Sequence, residues 1–122
     1  MTKDEAIYSF YSGFSLPAYD ENTVPEGSAL PYITYSVSTD SIGNMVILSA
    51  SLWYRSTSWA AIQDKADEIA ATLGYGGKII KIDNGYLWLT KGSPFAQRMS
   101  EPSDKMVRRI IININAEFLT EI

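Results

Sequence analysis

The sequence predicts an α+β fold, a two-layer sandwich whose mainly antiparallel five-stranded sheet carries two helices on one face, in the order α-β-β-α-β-β-β. Three observations predict it. Residues 2–14 and 56–73 repeat apolar side chains at helical spacing. Residues 32–38, 45–55 and 107–119 alternate at period two. Between them, Asn84-Gly85 splits residues 78–91 into a hairpin. The 122 residues are read as one domain with long loops at 15–31 and 92–104.

Thr2-Lys3-Asp4-Glu5 is a capping box, in which the Thr2 hydroxyl accepts from the Glu5 amide while Glu5 reaches back. Ile7, Phe10, Tyr11 and Phe14 follow on one helical face, and Gly13 is the stop. Residues 15–31 hold Pro17, Pro25, Gly27 and Pro31, so they read as an irregular connection. Ile33, Tyr35 and Val37 then share one strand face. Turn chemistry at residues 40–44 leads into a second strand from Met45 to Arg55, and the two strands form an antiparallel hairpin.

Ser56, Thr57 and Ser58 offer N-caps for the second helix. Its stripe is Trp59, Ile62, Ala66, Ile69, Ala70 and Leu73, and Gly74, Gly76 and Gly77 end it. A type I′ turn at Asn84-Gly85 pairs Ile82 with Leu87 and Ile80 with Leu89, which puts Tyr86 and Trp88 on the opposite face. The final strand, Val107 to Leu119, has an apolar even face and an odd face that is mostly polar beyond Ile111.

Composition narrows the function. The chain has no cysteine and no histidine, which removes disulfides, thiolate nucleophiles, zinc ribbons and the commonest general base. Net charge is −4, localised to the residues through Leu30, where five acids face Lys3 alone. There is no basic nucleic-acid footprint over the whole chain. No apolar run approaches the roughly 18 residues of a membrane span, and the N-terminus lacks a signal-peptide pattern, so a soluble cytoplasmic product is expected.

No motif selects a catalytic or metal site. Asp4/Glu5 and Asp67/Glu68 are helix neighbours that do not face each other. Asp20, Glu21 and Glu26 share a loop without calcium-binding spacing. Gly74-Tyr75-Gly76-Gly77 follows a helix instead of opening one, and lacks the lysine of a phosphate loop. Arg108-Arg109 reads as a solvated strand end. The chain is therefore expected to be neither an enzyme nor a cofactor binder.

What remains is apolar surface. Two helices cover one sheet face, and the other is left with Met45, Ile47, Trp53, Tyr86 and Trp88, with Ile79 and Ile111 beside them. Either a partner meets this patch, or residues 15–31 cover it with Leu16, Tyr19 and Val24. In the loop at 92–104, Phe95 and Met99 are apolar anchors and Arg98 a polar contact for a neighbouring subunit, unless Phe95 folds back on its own core.

The order of segments resembles the tail terminator, or tail completion, proteins of long-tailed bacteriophages, which join tail to head. The resemblance runs through ALPYITYSV, ILSASLWYRSTSW and KGSPFAQRMSEPSDKMVRRIIININAEF and covers about Ile7 to Leu119. It implies a structural subunit without catalysis or cofactor, found in the virion tail after assembly in the host cytoplasm. Its partners would be itself, in a ring of six, the major tail tube protein and the head-tail connector, with double-stranded DNA passing through the lumen. Two other readings stand beside it: a neck or head-closure protein, and a monomeric peptide-binding module using the Trp53/Trp88 face.

Overall fold

A computed structural model describes residues 1–38 and 45–120. Its elements are α1 (Lys3–Ser12), β1 (Ala18–Asp20), β2 (Tyr32–Tyr35), β3 (Met45–Arg55), α2 (Ala60–Leu73), β4 (Lys78–Ile82), β5 (Gly85–Met99) and β6 (Val107–Thr120). The strands form a single six-stranded sheet in the order β1-β2-β3-β6-β5-β4, curled into a half-barrel.

This corrects the expected five-stranded antiparallel sandwich. The order is α-β-β-β-α-β-β-β and the sheet is mixed, because β1 arises inside the segment read as a loop and pairs in parallel with β2. The Ile33 amide donates to Pro17 O and the Glu21 amide to Tyr35 O, each at 2.9 Å, which clamps the short strand at both ends. The second correction is at 92–104. Residues Gly92–Met99 belong to β5, which continues along β6 past a register shift between Lys91 and Ala96. The extra residues of this bulge accommodate Pro94, whose carbonyl accepts from Asn113 Nδ2 at 3.1 Å. A bulge also bends its strand, which contributes to the curl.

The capping box forms as spelled. Thr2 Oγ1 accepts from the Glu5 amide and Glu5 Oε1 from the Thr2 amide. Bonds from Thr2 hold the Glu5 carboxyl below its ordinary pKa. At α2 the cap is looser: Trp59 occupies the capping position without a side-chain bond, while Ser58 Oγ accepts from the Ala60 amide. The β2–β3 hairpin is antiparallel, with Tyr32 opposite Trp53 and Tyr35 opposite Ala50. Strand β2 stops at Tyr35, short of the expected Ser38, and the expected turn at 40–44 lies outside the described residues.

The β4–β5 turn is centred on Asp83-Asn84, one residue earlier than expected. Ile80 therefore pairs with Leu87 and Ile82 with Gly85. Only Asn84 takes a left-handed conformation, at φ 64°, where Asn-Gly in a type I′ turn needs two such residues. Asp83 is held by the N-terminus: its amide donates to Met1 O at 2.7 Å and its carboxylate takes the Met1 ammonium at 2.6 Å. The slip changes partners by two places, so the faces are unaltered.

The core lies between the helices and one sheet face. It unites Ile7, Phe10 and Tyr11 of α1 and Ile62, Ile69 and Leu73 of α2 with Leu48, Leu52, Leu87, Leu89, Ile110, Ile112 and Ile114. Strand β6, paired on both sides, supplies five core residues at alternate positions from Ile110 to Phe118. Each buried isoleucine contributes about 2 kcal/mol of transfer free energy. Gly77 seals the path from α2 to the sheet. It sits at φ 82°, and a Cβ there would lie 2.4 Å from Leu89 O.

Candidate interaction surface

The face of the sheet away from the helices carries the candidate residues, and its cross-strand register decides which of them meet. In one row Met45 faces Glu117, which faces Trp88, which faces Ile79. In the next Ile47 faces Asn115, which faces Thr90. Ser49 faces Asn113 and donates to its Oδ1 at 3.2 Å. A polar ladder, Asn113, Asn115 and Glu117, thus runs down the middle of this face on β6. It separates Met45 and Ile47 from Tyr86, Trp88 and Ile79, so the expected aromatic patch is two apolar strips and not one.

The strips differ in character. Met45 and Ile47 are 55% and 63% exposed, and Ile79 is 64% exposed. Trp88 is half-buried, and its Nε1 donates to Gly76 O at 3.0 Å, so the indole lies along the glycine turn. Tyr86 is exposed with Lys81 Nζ 4.5 Å from its ring centroid. Residues 15–31 meet this face at its Trp53 end, where Ser28 and Leu30 line a cleft beside it. Leu16 and Ala18 join the core, and β1 extends the sheet at its edge, where Tyr19 meets Tyr32 edge-on at 5.6 Å.

Trp53 stands at the far end. Its Nε1 donates to Thr34 Oγ1 at 2.9 Å, and Arg109 lies over its ring at 4.6 Å. Arg109 also donates from Nε to the buried Ser51 Oγ at 3.2 Å. The three residues expected to act together in the 92–104 loop do not share one face. Phe95 packs against the core of its own subunit, Met99 pairs with Arg109, and Arg98 pairs with Ile110. Arg98 stacks on Trp59 at 4.9 Å and donates to Gln63 Oε1 at 3.2 Å.

Arg108 stacks on the same indole, 5.5 Å from its centroid, and donates to Lys105 O and Thr57 O. Arg108-Arg109 is therefore an anchored pair, one guanidinium on Trp59 and the other on Trp53, where the sequence suggested a solvated strand end. The missing signal is register. Trp53 and Arg109 are 56 residues apart in the chain, and only the β3–β6 alignment brings them opposite each other.

Beside this pair, Arg55 bonds Asp104 at 3.0 Å. The Met106 amide and Arg55 together hold the Asp104 carboxyl below its ordinary pKa. An open cleft of about 370 Å3 adjoins them, lined by Leu30, Tyr32, Trp53, Arg55, Glu101 and Val107 among others.

No family model matches the sequence, and no curated protein matches it. The structure does have a solved counterpart. A chain in the virion of a native gene transfer agent particle superposes with a TM-score of 0.59, over 95% of this chain and 86% of that one, at 18% identity. The two chains share a fold. Coverage this complete makes the likeness one of the architecture as a unit.

Proposed function

We propose that the protein is a structural component of a phage-like virion, and within it the subunit of a ring that terminates the tail tube and joins it to the head connector. The observation that carries the reading is the fold shared with a virion chain over nearly its full length. The tail terminator resemblance in the sequence supports the finer role. In this reading the subunit performs no catalysis and holds no cofactor. It meets copies of itself, six to a ring, together with the tail tube protein on one side and the connector on the other. Double-stranded DNA passes through the lumen.

A half-barrel with exposed Met45, Ile47 and Ile79 on one face has apolar surface to bury against such neighbours. Deleting the gene from its phage or prophage tests the role. The expected particles are filled heads without tails, alongside free tails of uncontrolled length. Normal-length tails with unsealed heads would assign the protein to head closure instead, and intact virions would remove it from the tail altogether.

A further inference from the structure

All four arginines of the chain gather at one end of the sheet. Strand β3 ends there with Arg55, β5 with Arg98, and β6 begins there with Arg108 and Arg109. Lys105, in the turn before β6, adds a fifth base; Glu101 and Asp104 lie in the same turn, and Gln63 links Arg98 to Asp67 of α2. The rest of the chain has five bases against eleven acids, so the molecule carries a cationic end on an otherwise anionic body.

Three of the guanidiniums are stacked on indoles, Arg98 and Arg108 on Trp59 and Arg109 on Trp53. Stacking fixes their planes, so a carboxylate arriving from outside meets donors already in place and little side-chain freedom is lost on contact. The matching anionic surface is in the same sequence. Among residues 1–30 the acids outnumber Lys3 five to one. Glu21 and Glu26 are exposed on the loop after β1, which is tied down by the Asn22 amide donating to Asp20 Oδ1 and the Ser28 amide to Pro25 O.

We propose that the arginine end of one copy receives the Glu21–Glu26 loop of the next. Ser28 and Leu30, later in the same loop, line the cleft beside Arg55, and a contact repeated head to tail from copy to copy closes into a ring. The inference rests on the ring reading and names the contact that builds it. Nucleic acid is the other polyanion that arginines attract, but the anionic remainder of the chain opposes its approach.

Charge exchange tests the contact. Mass photometry and sedimentation are run on the full-length protein at low and high salt, alone and with tail tubes. Arg55→Glu with Lys105→Glu changes two exposed side chains, and is expected to weaken self-association about tenfold or more. Glu21→Lys with Glu26→Lys is expected to do the same, and the four changes together to restore assembly. Arg109→Gln, which keeps a polar side chain beside Ser51, is a second probe expected to weaken assembly in the same direction.

Thermal melts establish that each variant is folded. Assembly at wild-type strength in the folded double variants, or no restoration on combining them, overturns the inference while leaving the ring. Salt-sensitive binding to duplex DNA, lost with the arginine substitutions and indifferent to the glutamate ones, overturns it in favour of nucleic acid. A wild type that never assembles, even on tubes, rejects the ring reading itself.

Discussion

Arg109 lies across the indole of Trp53, its guanidinium carbon 4.6 Å from the ring centroid, while its Nε donates to Ser51 Oγ. The two residues face each other between β3 and β6, and the same indole donates to Thr34 on β2. One cation–π contact and two hydrogen bonds therefore tie three strands together at the end of the sheet. A double-mutant cycle over Trp53→Leu and Arg109→Leu is expected to give a coupling of about 0.5–2 kcal/mol in chemical denaturation. Additive losses would mean that the stacking contributes nothing.

Tyr11 is buried against α1's own core neighbours and stacks on Tyr35, ring centroids 5.2 Å apart and planes 14° from parallel. Its hydroxyl has no hydrogen-bond partner among the described residues. A buried, unpartnered hydroxyl costs roughly 1–3 kcal/mol, so Tyr11→Phe is expected to leave stability unchanged or to raise it by about 1 kcal/mol. Loss of more than that would reveal a partner for the hydroxyl.

Burial also raises the pKa of Tyr11, and those of Tyr35 and Tyr54. In the unfolded chain these phenols ionise near 10, whereas the folded protein keeps them neutral to higher pH. Near and above pH 10 the folded state then binds more protons at these phenols than the unfolded one, so their contribution to stability is constant at lower pH and falls as pH rises through that range, while the raised pKa of the Met1 ammonium adds a decline that starts nearer pH 8. Denaturation midpoints measured from pH 8 to 11 should show this decline, with a shallower slope for Tyr11→Phe.

Gly77 has no room for a side chain. Its left-handed φ of 82° disfavours one, and a Cβ would press on Leu89 O and on Nε1 of Trp88. Gly77→Ala is expected to cost about 2–4 kcal/mol and to disturb the Trp88 environment, read by fluorescence. Gly76, with nothing within 4 Å of its Cβ position, is the control and should tolerate alanine within about 1 kcal/mol.

Ile47 sits 63% exposed beside Asn115, outside the core. Ile47→Ser is expected to change monomer stability by no more than about 0.5 kcal/mol, and to weaken assembly if this face is buried between subunits. A stability loss of several kcal/mol would show that Ile47 is already covered within its own chain.

Much of this architecture was written in local patterns. The Thr2–Glu5 box and the Ile62–Ala66–Ile69–Leu73 stripe each occupy a few adjacent turns, and the long alternation of β3 and β6 needs no partner to be read. What escaped depends on distant residues. Strand β1 has three residues and one buried side chain, Ala18, and exists because β2 lies parallel to it fifteen residues on. Strand β5 runs through Pro94, which broke the alternation, because a bulge against β6 absorbs it.

The candidate surface divides in the same way. That Met45, Ile47, Tyr86 and Trp88 point away from the core follows from alternation within each strand. That Asn113, Asn115 and Glu117 stand between them follows only from strand order, with β6 central. The arginine end was equally hidden, since its members are scattered from Arg55 to Arg109 and meet only through the β3–β6–β5 register.

The proposed role places this subunit in a ring on a phage-like tail. Electron microscopy of the purified protein mixed with tail tubes tests it most directly, with mass photometry of the same mixture counting the copies. Closed rings of six subunits each, seated on one end of the tube and arresting its growth, are expected. Tubes that stay uncapped and keep elongating, with the protein monomeric beside them at high concentration, would contradict the role.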